Sequence, residues 1–315
     1  MNVMDGLLEW PWEAAAVTMG VFDGVHLGHW ALLERTVAVA REHGLRPVAL
    51  TFEPHPDQLL HPGSAPGLLT STAEKSALIQ QAGISSLVLA HFDRPLSEME
   101  PEAFVQRLLV GRLAARYLVV GHRVRFGRGG RGDLDLLRVV AAALGVEVEC
   151  VGPVLVDGEQ PSSTLIRELL QHGDLPRANR LLGRPYRLLG KVEAGRGRGR
   201  TLGFPTANLA PPPGRILPAV GVYAALASWG DCVGPAVVNV GCRPTFDAGE
   251  LCVEAHLLGF SGELRGRQLA LSFLHRLRDE RRFDSADQLQ AQIAQDIADT
   301  RHILAALQGR GDVLE

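Results

Sequence analysis

Two histidines, His26 and His29, stand three residues apart in the stretch GVFDGVHLGHW at positions 20–30. Gly24 and Gly28 loosen the backbone around them, and an apolar run over 14–21 leads in. Such a run reads as a strand, while the residues after His29 carry helical spacing. The pair therefore sits where a strand becomes a helix. A helix start offers unpaired N–H groups and partial positive charge, which suits a phosphate. Two imidazoles three apart can face one way there and donate hydrogen bonds to phosphate oxygens as charge builds in a transition state. Taken alone, the spacing fits two surface histidines at a helix cap better than a phosphate site. A zinc pair fits less well, because no third ligand follows at a usual spacing. The chain has no GxxxxGK[ST] and the stretch has no GxGxxG, so neither a Walker loop nor a dinucleotide fingerprint is read here.

The elements that must hold the pair follow from the patterning. From residue 14 to about 183, β-type runs at 16–21, 47–52, 86–90, 117–120 and 146–151 alternate with helical stretches at 29–43, 73–82, 102–114 and 134–144. Gly44, Gly83 and Gly145 fall just past helix ends, where a left-handed cap is wanted. Nearly continuous apolar strands alternating with helices predict an α/β, Rossmann-like domain with a parallel sheet covered on both faces. In such sheets ligands bind at the carboxyl ends of strands, at a topological switch point. The section closes with SSTLIRELLQHGDLPRANRLLG, where Ser162 or Ser163 can cap a helix. After Gly183 the grammar changes. YRLLGKVEAG, GVYAALASW, PAVVNVG, CVEAHLLGF and RQLALSFLHRL are short strands separated by Gly, Pro and Asp, which predicts a small antiparallel β-barrel or sandwich. The stretch 285–307 carries apolar residues at 289, 293, 297, 304 and 307, an amphipathic helix expected to pack on the β unit. The boundary is expected at Gly183–Arg184, giving domains 1–183 and 184–315.

Composition agrees with this plan. A length of 315 residues suggests two domains, and 46% hydrophobic against 21% charged residues allows each to bury a core. The net charge of -3 gives no global pull toward nucleic acid or acidic membrane. No apolar run is long enough for a transmembrane helix, and Asp5 and Glu9 stand where a secretory signal would carry positive charge. Cys150, Cys232, Cys242 and Cys252 form no CxxC pair, which fits a reduced cytoplasmic setting. GRGRGR (195–200) alone would read as an RNA-binding segment, but no repeats follow and no aromatics interleave, so no nucleic-acid partner is expected.

GVFDGVHLGH resembles the GxFDGxHxGH signature of the nucleotidyltransferases that move AMP from ATP. More narrowly, it is similar to the adenylyltransferase module of bifunctional bacterial riboflavin kinase/FAD synthetases. TFEPHP (51–56) and SSTLIR (162–167) fit the same family, and LGFPTANL (202–209) resembles the PTAN motif of its riboflavin kinase barrel. NVGCRPTF (239–246) and RLRDERRF (276–283) match further segments, so the resemblance runs in order from about residue 14 to 300. It implies two reactions: riboflavin and ATP give FMN in the barrel, and FMN and ATP give FAD and pyrophosphate in the α/β domain. It further implies ATP as co-substrate, Mg²⁺ as cofactor and riboflavin, FMN and FAD as ligands, with no membrane partner; oligomeric state is not implied.

By the same resemblance Gly20, Phe22, Asp23, Gly24 and Gly28 bind nucleotide, and His26 and His29 act at the reacting phosphate. Ser162, Ser163 and Arg167 hold the outgoing phosphates; an Arg one turn into a helix with hydroxyls at its start makes a polyphosphate clamp. Gly203, Thr206 and Asn208 take ATP, with Thr206 and Asn208 on Mg²⁺, since hydroxyl and amide oxygens suit a hard cation that keeps most of its waters. Glu254 is the base of the kinase, and Phe126 and Arg278 touch flavin. The chain departs from the family where VVGxDFxFG becomes VVGHRVRFG, with Arg123 and Val124 at the changed positions. It departs again at ELRG (263–266) and VEAG (192–195). The first departure leaves, as an alternative, a riboflavin kinase whose N-terminal domain has lost synthesis. A flavin- or RNA-binding regulator on the same scaffold is the rival of another class.

Overall fold

The apolar runs of the first half bury both their faces. In Ala15–Met19, residues Ala15, Val17 and Met19 join one buried cluster and Ala16 joins another. Arg46–Glu53 and Ser86–His91 divide the same way, with Val48, Leu50, Val88 and Ala90 on the first cluster and Ala49, Leu87 and Leu89 on the second. Strands covered on both sides belong to the middle of a layered sheet. The computed structural model describes residues 1–5, 13–195, 199, 203–242 and 251–309. There the three runs are β2, β3 and β4 of a six-stranded parallel sheet that β1 (Asn2–Asp5), β5 (Ala115–Gly121) and β6 (Glu147–Val151) complete. The order is β1–β4–β3–β2–β5–β6, so the chain switches direction across the sheet between β2 and β5. Five of these strands are the expected runs. β1 is an addition, too short at four residues to show a pattern.

Local chemistry sets the helix limits. α1 (Leu27–His43) begins two residues before the expected start because His26 is itself the cap, and Gly44 ends it in the left-handed region at φ 64°. α2 (Pro56–Leu60) follows β3, and α3 (Thr72–Gln81) opens on a reciprocal capping box between Ser71 and Glu74. After α4 (Arg94–Ser97), the helix expected over 102–114 divides into α5 (Pro101–Ala103) and a π-helical stretch, Phe104–Val110. α6 (Leu134–Ala143) leads to β6.

Contacts divide the chain into two units, Met1–Ser163 and Thr164–Glu315. The division falls before the expected boundary because α7 (Ser163–His172) and α8 (Leu175–Leu182) are bonded into the second unit. The Asn179 amide donates to Phe273 O and accepts from Tyr186 N–H, and Leu170 O accepts from Ala219 N–H. The second unit is a closed antiparallel barrel of β7 (Tyr186–Glu193), β8 (Ala207–Ala210), β9 (Gly221–Trp229), β10 (Cys232–Cys242), β11 (Leu251–Leu257) and β12 (Gln268–Arg278), in the order β10–β11–β8–β7–β12–β9. α9 (Ala286–Gly309) packs on β9, β10 and β12. Of GRGRGR only Gly195 and Gly199 are described, and of NVGCRPTF only the part through Cys242; the remainder of both segments, and Glu9, lie outside the described residues.

Candidate functional sites

The first unit has a cavity of about 250 Å³ at its switch point, lined from the ends of β2, β5 and β6 and the start of α1. His26 and His29 both line it. His26 Nδ1 accepts the His29 N–H at 3.3 Å, which leaves Nε2 to carry the ring proton. The two imidazoles stack with centroids 3.7 Å apart and 16° between planes, and the edge of Phe22 closes on His29 at 5.2 Å. Phe22 is fully buried, backs His29 and itself lines the cavity. Gly28 lets the pair form: a Cβ there would stand 3.1 Å from His26 Cε1 and 3.2 Å from its Nδ1. Ser162, Ser163 and Gly20 also line the cavity, and Arg167 stands one turn into α7, in the second unit.

The turn that carries the pair is held in an unusual shape. Phe22 and Val25 have φ of 52° and 38°, a region that side chains with a Cβ avoid, and Gly24 lies at 80°. Such a turn persists only when its surroundings over-determine it. The buried Asp23 carboxylate accepts N–H bonds from Leu69 and Thr70 and the Thr70 hydroxyl. Gly24 N–H donates to the Thr70 hydroxyl, and the Ser163 hydroxyl donates to Asp23 O at 2.9 Å. Asp23 therefore shapes the loop. Beneath it the Lys75 ammonium, 6% exposed, donates to Val21 O and to the Thr51 hydroxyl, each at 3.3 Å. Burial lowers its pKa, opposed by the negative charge of Glu53 and Asp23. Sequence reasoning passed over Lys75; its signal was a lysine four residues before buried Ile79, on the inner face of α3.

In the barrel, the period of β11 sends Val253, Ala255 and Leu257 into the core and Glu254 and His256 to the other face. Glu254 lies directly across from Asn208 of β8 and Asn239 of β10, and Asn208 lies across from Glu193 of β7. Four polar residues thus form one row over four strands. A cleft of about 710 Å³ beside it is lined by Glu193, Gly195, Thr206, Asn208 and Arg265 among others. Glu254 is not itself in the lining; its partner Asn208 is. A Cβ at Gly195 would collide with the Asn208 amide, so glycine is required for that close approach. Gly203 takes a left-handed φ of 84° ahead of Thr206. His256 was not expected: its Nδ1–H donates to Pro205 O at 2.8 Å and its ring meets the Phe204 edge at 5.6 Å, fixing the residues just before Thr206.

Both halves have counterparts among known proteins. Residues 9–165 match the family model described as FAD synthetase, and residues 182–304 the one described as riboflavin kinase. The bifunctional riboflavin kinase/FMN adenylyltransferase of Escherichia coli K12 is 37% identical over 287 residues, 91% of either chain. That of Listeria monocytogenes is 33% identical over 303 residues, 95% of this chain and 96% of its own. The chain belongs to the bifunctional riboflavin kinase/FMN adenylyltransferase family. A crystal structure from Streptococcus pneumoniae named a macrolide-efflux protein shares the fold, with a TM-score of 0.88 and 29% identity over 96% of this chain and 99% of that one. Its name is that protein's; among the described residues here, no helix is long and apolar enough to cross a membrane.

Two residues expected at flavin make side-chain contacts within the protein. Phe126 is 6% exposed, packs near Phe104 in the core and does not line the cavity. The Arg278 guanidinium makes a two-pronged pair with Asp296 of α9, at 2.9 and 2.8 Å, and also donates to Asp279 O. Asp296 is 2% exposed, so that pair is the latch between β12 and α9.

Proposed function

We propose that the chain carries out both reactions of its family, adenylylation of FMN in Met1–Ser163 and phosphorylation of riboflavin in the barrel unit. What supports the division is that each unit has its own cavity, built of matching chemistry. In the first, the FMN phosphate attacks the α-phosphorus of ATP and pyrophosphate leaves. No covalent enzyme intermediate is needed, so the protein's work is positioning and charge stabilisation. His26 and His29 donate to the reacting phosphate, and the Ser162 and Ser163 hydroxyls stand with them in the cavity wall.

In the barrel, Glu254 orients and deprotonates the riboflavin hydroxyl, and Thr206 and Asn208 face the ATP phosphates. The oxygens of Thr206 and Asn208 also fit Mg²⁺. A hydroxyl and an amide oxygen suit an ion held mostly by phosphate and water. When bound, Mg²⁺ supplies charge neutralisation on the transferred phosphoryl group. The setting is the reduced cytoplasm, with riboflavin, FMN, FAD and ATP as the small-molecule ligands.

One incubation of the pure chain with riboflavin, ATP and Mg²⁺, with flavins separated over time, tests the reading. FMN followed by FAD is expected. FMN alone would restore the kinase-only alternative, and no product from folded protein would end the enzyme reading.

A further inference from the structure

Arg123 is the one lining residue of the first unit's cavity that is charged across the physiological pH range, and among the described residues no carboxylate lines that cavity. It stands two residues past β5, on a loop that also carries Arg125, Arg128 and Arg131. Those three are each answered by a carboxylate: Arg125 by Asp133, and Arg128 and Arg131 by Glu100. Arg123 is not. Its Nη2 donates to the amide oxygen of Gln160 at 2.6 Å, and the Gln160 Nε2 meets His122 Nε2 at 3.1 Å. A neutral amide aims the guanidinium without cancelling its charge, and the bond occupies one of five N–H donors. Gln160 opens the segment Gln160-Pro161-Ser162-Ser163, all of it cavity wall, that runs into α7.

We propose that Arg123, aimed by Gln160, contacts the β- and γ-phosphates of ATP during adenylyl transfer; this rests on the adenylyltransferase reading of the first unit. As the FMN phosphate oxygen bonds to the α-phosphorus, the bond from that phosphorus to the α,β-bridging oxygen breaks, and its electron pair leaves on pyrophosphate. Arg123 receives the charge that accumulates there. The shared segment with Ser162 and Ser163 favours the leaving phosphates over the phosphate of FMN.

The test uses the full chain, with FAD formation from FMN and ATP and the reverse reaction of FAD with inorganic pyrophosphate. Charge-assisted bonds of this kind correspond to about 10- to 100-fold, so Arg123→Gln is expected to raise KM for ATP and for pyrophosphate by that factor. Arg123→Lys recovers part of the loss, and Gln160→Leu, which frees the guanidinium without removing it, gives a smaller rise. KM for FMN stays within about twofold. Phosphorylation of riboflavin by the same preparations, unchanged, shows that the variants are folded. An unchanged KM for pyrophosphate, or a rise confined to FMN, overturns the assignment. A wild-type chain that runs neither direction would instead overturn the adenylyltransferase reading, and the proposal with it.

Discussion

Gly28→Ala inserts one carbon atom between α1 and the His26 ring. The new Cβ would stand 3.1 Å from His26 Cε1, where ordinary contact begins near 3.4 Å. The ring must therefore yield by about 0.3 Å. If an ångström of misplacement at a reacting centre costs about 100-fold, a third of that costs about fourfold. Stability should hardly move, because two effects oppose each other. Stretching the 3.3 Å bond from His29 N–H to His26 Nδ1 weakens a helix cap, a loss of up to about 1 kcal/mol. Alanine in place of glycine within α1 returns about the same amount in helix propensity. The expected outcome is FAD synthesis lowered about fourfold with riboflavin phosphorylation and Tm unchanged. Gly63→Ala, where a Cβ meets nothing within 4 Å, is the control. Full FAD synthesis by a folded Gly28→Ala chain would refute the claim that the ring geometry matters.

Other perturbations separate the two sites. Glu254→Gln should abolish FMN formation yet leave FAD formation from supplied FMN; loss of both in folded protein would break the two-site reading. His256→Ala removes a bond worth about 1 kcal/mol and should lower kinase kcat/KM about fivefold, with FAD synthesis as the unaffected reference. Lys75→Met should lower FAD synthesis about tenfold by releasing Val21 O. It also changes a pH profile: burial holds the Lys75 pKa below the ordinary lysine value, so the unfolded chain binds more protons there. Stability of the first unit therefore rises with pH between the folded and unfolded values, and the rise should vanish in Lys75→Met when followed by denaturant titration. Arg278→Ala strands a buried carboxylate at Asp296 and should destabilise the barrel by about 3–5 kcal/mol, read by calorimetry.

Much of this architecture was legible because period and punctuation report burial directly. Nearly continuous apolar runs pointed to the parallel sheet, and Gly44 and Gly83, both at positive φ, marked the ends of helices. β1 and β8, each four residues long, carry too few positions to show a period. The His26–His29 spacing pointed to residues that line the first unit's cavity, but not to the stacking of the rings, which depends on Gly28 and Phe22 together. Roles of single charged residues were the hardest to read. Arg278 and Lys75 look like surface charges in a string of letters, and only the approach of Asp296 and Val21 O gives them their work. Gln160 and Arg123, 37 residues apart, had no local signal linking them.

The Ser163 hydroxyl reaches back across 140 residues to the Asp23 carbonyl. Long-range closures of this kind come late when a chain folds, because the intervening loop must first be ordered. During synthesis, the turn around His26 leaves the ribosome early but lacks its last pin until residue 163 follows. A nascent chain therefore passes through a stage with most of its parallel sheet in place and the cavity at His26 and His29 unfinished. Capture of nucleotide by arrested chains of increasing length would report when the whole unit has closed, rather than when the strand and helix bearing the histidines have formed.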